Sequence, residues 1–218
     1  MTNLTPIRLH PNVAEENDQP ENKKPYRYFE TSQLSIVHHF YLSEAVGEPS
    51  EYVDMIHKIK MAGPNDVIYI YLNTPGGQLD TGIQIINAMQ NTRAKVITVL
   101  ESESHSLGTI IFLSGDEFIV NDDCLMMFHN YAGGTWGKGN EQVAQLDATI
   151  KWFNKLARDI YIPFLTEEEL NQVINGKDMW MDSDEITKRL KNMVKILTEE
   201  ATRPKKRKAK KKGTKKKK

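Results

Sequence analysis

Between residues 101 and 109 the chain reads ESESHSLGT, three serines and a histidine set between two apolar runs. A serine hydroxyl is too weak an acid to attack an amide unaided. It needs an imidazole to take its proton and a carboxylate to fix the tautomer of that imidazole. Both partner types follow: His129 closes CLMMFHN, the pair Gly133-Gly134 comes next, and Asp178 lies in GKDMWMD. Upstream, Thr74-Pro75-Gly76-Gly77 follows an apolar stretch, and glycine there lets backbone N–H groups approach a reacting carbonyl with no side chain in the way. Taken alone, these residues leave the choice among Ser102, Ser104 and Ser106 open, and a serine at a strand-to-helix turn is also an ordinary helix N-cap. His38, His39 and His57 have no metal-like company and read as structural or surface residues; no metal and no cofactor is expected. The single cysteine, Cys124, is expected in a strand as a buried free thiol. No G-x-x-x-x-G-K-[ST] loop occurs, so any ATP requirement would belong to a partner.

These residues need elements to hold them. The core sequence alternates strand-like and helix-like stretches, the pattern of an α/β domain. LSIVHHFYL (34–42) reads as a strand, SEYVDMIHKIKMA (50–62) as a helix and DVIYIYLN (66–73) as a buried strand. After the TPGG turn, LDTGIQIINAMQ (79–90) reads as a helix, AKVITVL (94–100) as a second buried strand and GTIIFLS (108–114) as a helix stopping at Gly115. EFIVN (117–121) and CLMMFHN (124–130) read as strands. A long helix is expected over about 140–161, where Leu146, Ile150, Phe153, Leu156 and Ile160 recur at helical spacing. Thr166 with Glu169 predicts a capping box opening a short helix that ends near Gly176, and Asp182 with Glu185 another over 183–191.

The ends differ from this core. Residues 1–26 are rich in Asn, Glu, Pro and Lys without an apolar period and read as a disordered arm; 27–202 form the folded domain. From Arg203 to Lys218 there are 12 basic residues and no acidic one, so 1–202 keep 17 of the 29 Lys and Arg against all 29 Asp and Glu, a net charge of about −12. A tail of that composition repels itself into a disordered state and suits nucleic acid or another anionic partner. The chain shows neither a signal-peptide pattern nor an apolar run of membrane-spanning length, so no membrane contact and a cytoplasmic location are expected.

The motifs, in this order, resemble the proteolytic subunit of the Clp protease (ClpP) from about Leu34 to Leu197. The segment Y-I-N-S-P-G-G of that family reads here Tyr71-Leu72-Asn73-Thr74-Pro75-Gly76-Gly77, and its A-S-M-G reads His105-Ser106-Leu107-Gly108. Its M-I-H-Q-P-x-G-G reads Met127-Phe128-His129-Asn130-Tyr131-Ala132-Gly133-Gly134, and its aspartate, followed by an aromatic and Ser-x-x-Glu, looks like Asp178 with Trp180 and Ser183. The resemblance implies an α/β, ClpP/crotonase-like fold of repeated β-β-α units with a protruding handle helix. It implies a serine endopeptidase with Ser106 as nucleophile, His129 as general base and Asp178 as the carboxylate behind it. The N–H groups of Gly77 and Leu107 would form the oxyanion hole, and Gly76, Gly133 and Gly134 would line the substrate strand. It further implies peptide or protein substrates, homo-oligomeric rings stacked as heptamers around a chamber, and an AAA+ unfoldase as partner.

Several residues depart from the family pattern. Ser104 and His105 stand where small residues precede the nucleophile, and Tyr131 replaces a proline two residues after the histidine. The Ser106-to-His129 interval is about two residues short, and neither the arm nor the basic tail maps onto a family feature. The departures fit a divergent relative, a viral one included. The same residues admit limited processing of one substrate, such as a capsid scaffold, by the same triad. They also admit a catalytically idle ring subunit or peptide-binding scaffold, and the tail suggests a nucleic-acid-binding protein.

Overall fold

In VIYIYLNT (β2, Val67–Thr74) aliphatic residues alternate with tyrosine, and the strand buries Ile68, Ile70, Leu72 and Thr74 while Tyr69 and Tyr71 stay half-buried. The expected buried strand forms, with one face fully buried and the other half-buried. This computed structural model describes residues 34–202, so the arm (1–26) and the basic tail (203–218) lie outside the described residues. Around β2 a sheet forms in the order β1 (Val37–Leu42), β2, β3 (Lys95–His105), β5 (Leu125–Phe128) and β6 (Met179–Asp182), with β4 (Glu117–Val120) paired along the first part of β3. All pairings are parallel except β5 with β6. A 3-10 turn (Pro49–Tyr52) leads into helix α1 (Val53–Met61), and α2 (Leu79–Asn91) and α3 (Leu107–Leu113) follow β2 and β3. Helices α4 (Gly139–Tyr161), α5 (Glu167–Ile174) and α6 (Ser183–Thr202) complete the described elements. This is a mixed α/β fold with a central sheet, as the resemblance implied.

The core gathers Ile59 of α1, Ile85 of α2, Ile111 of α3 and Leu190 of α6 with Ile68, Ile70 and Leu72. Burying aliphatic side chains of this size is worth roughly 2 kcal/mol each before chain entropy is counted. On the opposite side of β1 and β2, His39, Tyr41, Tyr69 and Tyr71 stack, Tyr41 on Tyr71 at 4.5 Å, and His39 Nδ1 lies 3.0 Å from the Tyr71 hydroxyl. In α4 only Phe153, Ala157 and Tyr161 are buried, whereas Val143 and Leu146, nearer its N-terminus, stay exposed. Its apolar stripe therefore meets the domain at one end and solvent at the other.

Three expectations are revised. β3 does not stop at Leu100 but runs through ESESH to His105, held at its end by β5, so Ser102 and Ser104 are strand residues and the turn falls on Ser106 itself. MWMD forms an edge strand, β6, whose only partner among the described residues is β5, a pairing distant in sequence that four residues do not announce. The last helix runs to Thr202 instead of ending at residue 191, since no glycine or proline interrupts it before Pro204. Cys124 is buried immediately before β5 and donates to the Leu100 carbonyl at 3.3 Å; burial pushes its thiol pKa up, away from the reactive thiolate.

Both expected caps form: Glu169 N–H donates to Thr166 Oγ1 at 3.2 Å, and Glu185 N–H to Asp182 Oδ1 at 3.0 Å. Glu169 has a second task. Arg189 of α6 grips it bidentately at 2.8 and 2.7 Å, and these hydrogen bonds hold its carboxyl at about 2, well below the usual carboxylate range. A carboxyl depressed in the folded state stabilises the fold fully above its unfolded pKa, and that contribution is lost as pH falls through the folded one. Arg189→Ala is therefore expected to cost on the order of 2 kcal/mol at pH 7, less than a fully buried pair would. The gap between variant and wild type should narrow from about pH 4.5 down to about pH 2. Urea midpoints across that range check this; a gap independent of pH would assign the loss to packing alone.

Candidate active site

Ser106 sits where β3 hands over to α3, at φ 53° and ψ −120°, a backbone conformation that a residue with a Cβ rarely adopts. Such strain costs on the order of 1–3 kcal/mol and persists only where surroundings over-determine it. Here they do. Ser106 N–H donates to the Met127 carbonyl at 2.8 Å, and the Ser106 carbonyl accepts from Thr109 N–H at 3.0 Å and from Thr109 Oγ1 at 2.6 Å. Thr109 Oγ1 lies 2.7 Å from the hydroxyl of Tyr161, which is fully buried at the end of α4. Both backbone groups of Ser106 are thereby fixed, while its hydroxyl makes no hydrogen bond among the described residues.

A cleft of about 210 Å³ opens beside it, and Gly77, Leu107 and His129 also line it. His129 follows the last residue of β5 and is half-buried. Asp178 precedes β6, is exposed and does not line the cleft. The β5–β6 register pairs Met127 with Trp180 and Phe128 with Met179, its last pair; continued one step beyond the strands, it would set Asp178 opposite His129. Residues opposed in an antiparallel pair lie roughly 5 Å apart at Cβ, within reach of a side-chain hydrogen bond. In the chain alone, however, no hydrogen bond joins Ser106, His129 and Asp178. The nearby Asp182, by contrast, is engaged in capping α6.

Opposite Ser106, the turn after β2 approaches at backbone contact. Gly76 has φ +95°, and a Cβ there would lie 2.7 Å from the His105 carbonyl oxygen and 2.8 Å from the Ser106 Cβ. Gly76 N–H donates to Thr74 Oγ1 at 3.1 Å, and its carbonyl accepts from Val46 N–H at 2.8 Å. The N–H groups of Gly77 and Leu107 have no acceptor among the described residues. For Leu107, the first residue of α3, that is the ordinary state of a helix N-terminus. Gly133 and Gly134 are exposed, and the strand expected there does not form among the described residues.

The rest of the cleft was not legible as such. Tyr131 and Phe153 line it with ring centroids 5.0 Å apart, and Leu79, Ile110 and Tyr161 contribute to its walls. Phe153 announced itself only as part of a helical stripe, and Tyr131 only as a departure from a motif. A larger hollow, about 600 Å³, lies along α5 at Glu168, Asn171 and Lys177; it is open to solvent and holds no nucleophile.

The comparisons bear on what such a cleft does. The ATP-dependent Clp protease proteolytic subunit of Streptococcus suis (strain 98HAH33) is 31% identical over 129 residues, covering 56% of this chain and 64% of that protein. The subunit of the same name from Lactococcus lactis subsp. lactis (strain IL1403) is 32% identical over 130 residues, covering 54% of this chain and 61% of the relative. That from Chlorella vulgaris is 27% identical over 123 residues, 56% of this chain and 58% of the relative. The matches thus span less than two thirds of the curated relatives. The family profile for Clp protease matches residues 50–188, which contain the Gly76 turn, Ser106, His129 and Asp178. With most of its length inside that match, the chain belongs to the Clp protease family.

Proposed function

We propose that this chain is a serine endopeptidase that cleaves peptide bonds with Ser106, His129 and Asp178. Ser106 Oγ attacks the scissile carbonyl as His129 takes its proton, and the Asp178 carboxylate orients and stabilises the imidazolium. The tetrahedral oxyanion accepts from Gly77 and Leu107 N–H. When it collapses, the C–N bond breaks and His129 gives the proton to the leaving amine. Water, deprotonated by His129, then releases the acyl group and restores the serine. Gly76, Gly133 and Gly134 leave room for an extended substrate backbone beside the cleft. The observation that carries this reading is the strained, doubly anchored Ser106 with an unbonded hydroxyl, sharing one cleft with His129.

Assembly into stacked rings belongs to the same proposal. It is supported by the exposed apolar residues of α4 and by the unmade hydrogen bonds of the triad, which tighten on assembly or substrate binding. The relatives are named ATP-dependent, and this sequence has no phosphate-binding glycine–lysine loop; an ATP-driven unfoldase is the proposed partner. A cytoplasmic location goes with it; no helix among the described residues is long and apolar enough to cross a membrane. The basic tail is proposed to hold nucleic acid or an anionic partner.

A catalytically idle scaffold is the rival, favoured by the exposed, unbonded Asp178. Incubating the full chain with a fluorophosphonate probe and a short peptide, without nucleotide, separates the two. Covalent labelling and peptide cleavage are expected, with folded proteins resistant. Neither signal from a chain of assembled native mass would establish the idle scaffold.

A further inference from the structure

His105 and Trp180 meet across three strands. In the register His105 of β3 lies beside Met127 of β5, and Met127 lies opposite Trp180 of β6, so the three form one row. Neighbouring strands lie about 4.8 Å apart, and the two outer side chains must lean over Met127 to touch. They do so edge to face, with ring centroids 5.1 Å apart and planes at 73°, an arrangement aromatic rings favour. Trp180 stays 54% exposed, whereas the His105 side chain is only 12% exposed. Its Nε2 has no hydrogen-bond partner among the described residues, and its Nδ1 lies 3.8 Å from Glu103, too far for a hydrogen bond. The ring, not its polar atoms, makes the contact.

The position of this contact gives it a use. His105 is the residue before Ser106, and its carbonyl oxygen packs against Gly76. Trp180 stands two residues after Asp178, and residues two apart on an extended chain share a face. β6 is an edge strand of four residues that pairs, among the described residues, with β5 alone. Met181 anchors its inner face in the core, and so short a strand is held on its other face, the one Trp180 presents, by side-chain contact beyond the backbone ladder.

We propose that His105 and Trp180 are positioning residues, a ring-on-ring clasp that ties edge strand β6 to nucleophile strand β3 and so keeps Asp178 opposite His129. The proposal rests on the reading of Ser106, His129 and Asp178 as the catalytic triad. In the full-length chain, kcat and KM for one short peptide and the fluorophosphonate labelling rate are measured for Trp180→Ala, His105→Ala and their double variant. Native mass and circular dichroism accompany each. Each single change should lower kcat about ten- to a hundredfold with KM within about twofold, and the double variant should be no worse than either. Trp180→Phe and His105→Phe, which keep a ring, should recover most of the rate, with the pH profile of His105→Phe unchanged. In an Asp178→Asn background Trp180→Ala should change kcat less than about twofold, because the group it positions is already disabled. A loss of equal size in that background, a rise in KM alone, or failure of both phenylalanine variants to rescue would overturn the clasp. Should Trp180→Ala not fold, His105→Ala against His105→Phe decides the matter. Ser106→Ala separates the two levels: if it still labels, the triad and the clasp fall together; if it is silent while Trp180→Ala turns over as wild type, the clasp alone falls.

Discussion

Ser106→Ala is expected to abolish fluorophosphonate labelling and to lower peptide hydrolysis by on the order of 10⁶, with native mass unchanged. The size of the loss follows from the roles: without the hydroxyl no acyl-enzyme forms, and only binding and the oxyanion donors remain. His129→Ala should lose nearly as much and the double variant little more, because nucleophile and base act as one unit. Asp178→Asn should cost on the order of 10⁴ by presenting the wrong hydrogen-bond partner to the imidazole. Asp182→Asn is the informative neighbour. Asp182 accepts from Glu185 N–H at the start of α6, so its replacement should show, if anywhere, as about 1 kcal/mol or less of stability. Ser102→Ala and Ser104→Ala should still label. If Ser104→Ala silences the chain and Ser106→Ala does not, the nucleophile has been misassigned by two residues.

The second large effect belongs to a residue with no side chain. In Gly76→Ala the new methyl carbon would sit 2.7 Å from the His105 carbonyl oxygen and 2.8 Å from Ser106 Cβ, at a φ of +95°. The contacts are with the His105 backbone oxygen and with a Cβ fixed to the Ser106 backbone, neither of them the end of a flexible side chain, so relief requires moving the turn that precedes Gly77. Removing a single oxyanion donor costs about 10²–10³ in kcat in comparable enzymes, and a loss at least that large is expected here. Stability should fall by on the order of 2 kcal/mol. Gly133→Ala is the matched control for stability: nothing lies within 4 Å of its added carbon, and its urea midpoint should not move. A Gly76→Ala enzyme with wild-type kcat would show that this turn does not shape the site.

Long, strongly periodic segments were readable from the sequence. The 23-residue α4 follows from apolar spacing, the existence of β2 from its apolar run, and the caps at Thr166 and Asp182 from residue type three positions apart. The motifs pointed to Ser106, His129 and the Gly76-Gly77 turn because motif and turn chemistry coincide at them, and Ser106, His129 and Gly77 line one cleft. What escaped was set by partners far along the chain. ESESH has no apolar period of its own and is a strand because β5 pairs with Glu103, Ser104 and His105. MWMD is a strand because β5 offers its other edge. The cleft walls at Tyr131 and Phe153 arise where a loop meets a helix, a juxtaposition that no local pattern encodes.

The pairing of β5 with β6 also sets an order in time. Among the described residues β6 is the last strand in the chain, and the whole of α4 and α5 lies between it and β5. A nascent chain that has emerged only through β5 carries the serine and the histidine without the carboxylate. Closing so long a loop costs entropy before its contacts form, so this pairing comes late in folding as well as in synthesis. On the proposed triad, partly made or partly folded chains would hold the serine and the histidine without the carboxylate that orients the imidazole. Hydrolytic competence would then arrive only with β6, and a chain would be spared its own chemistry until that strand is paired.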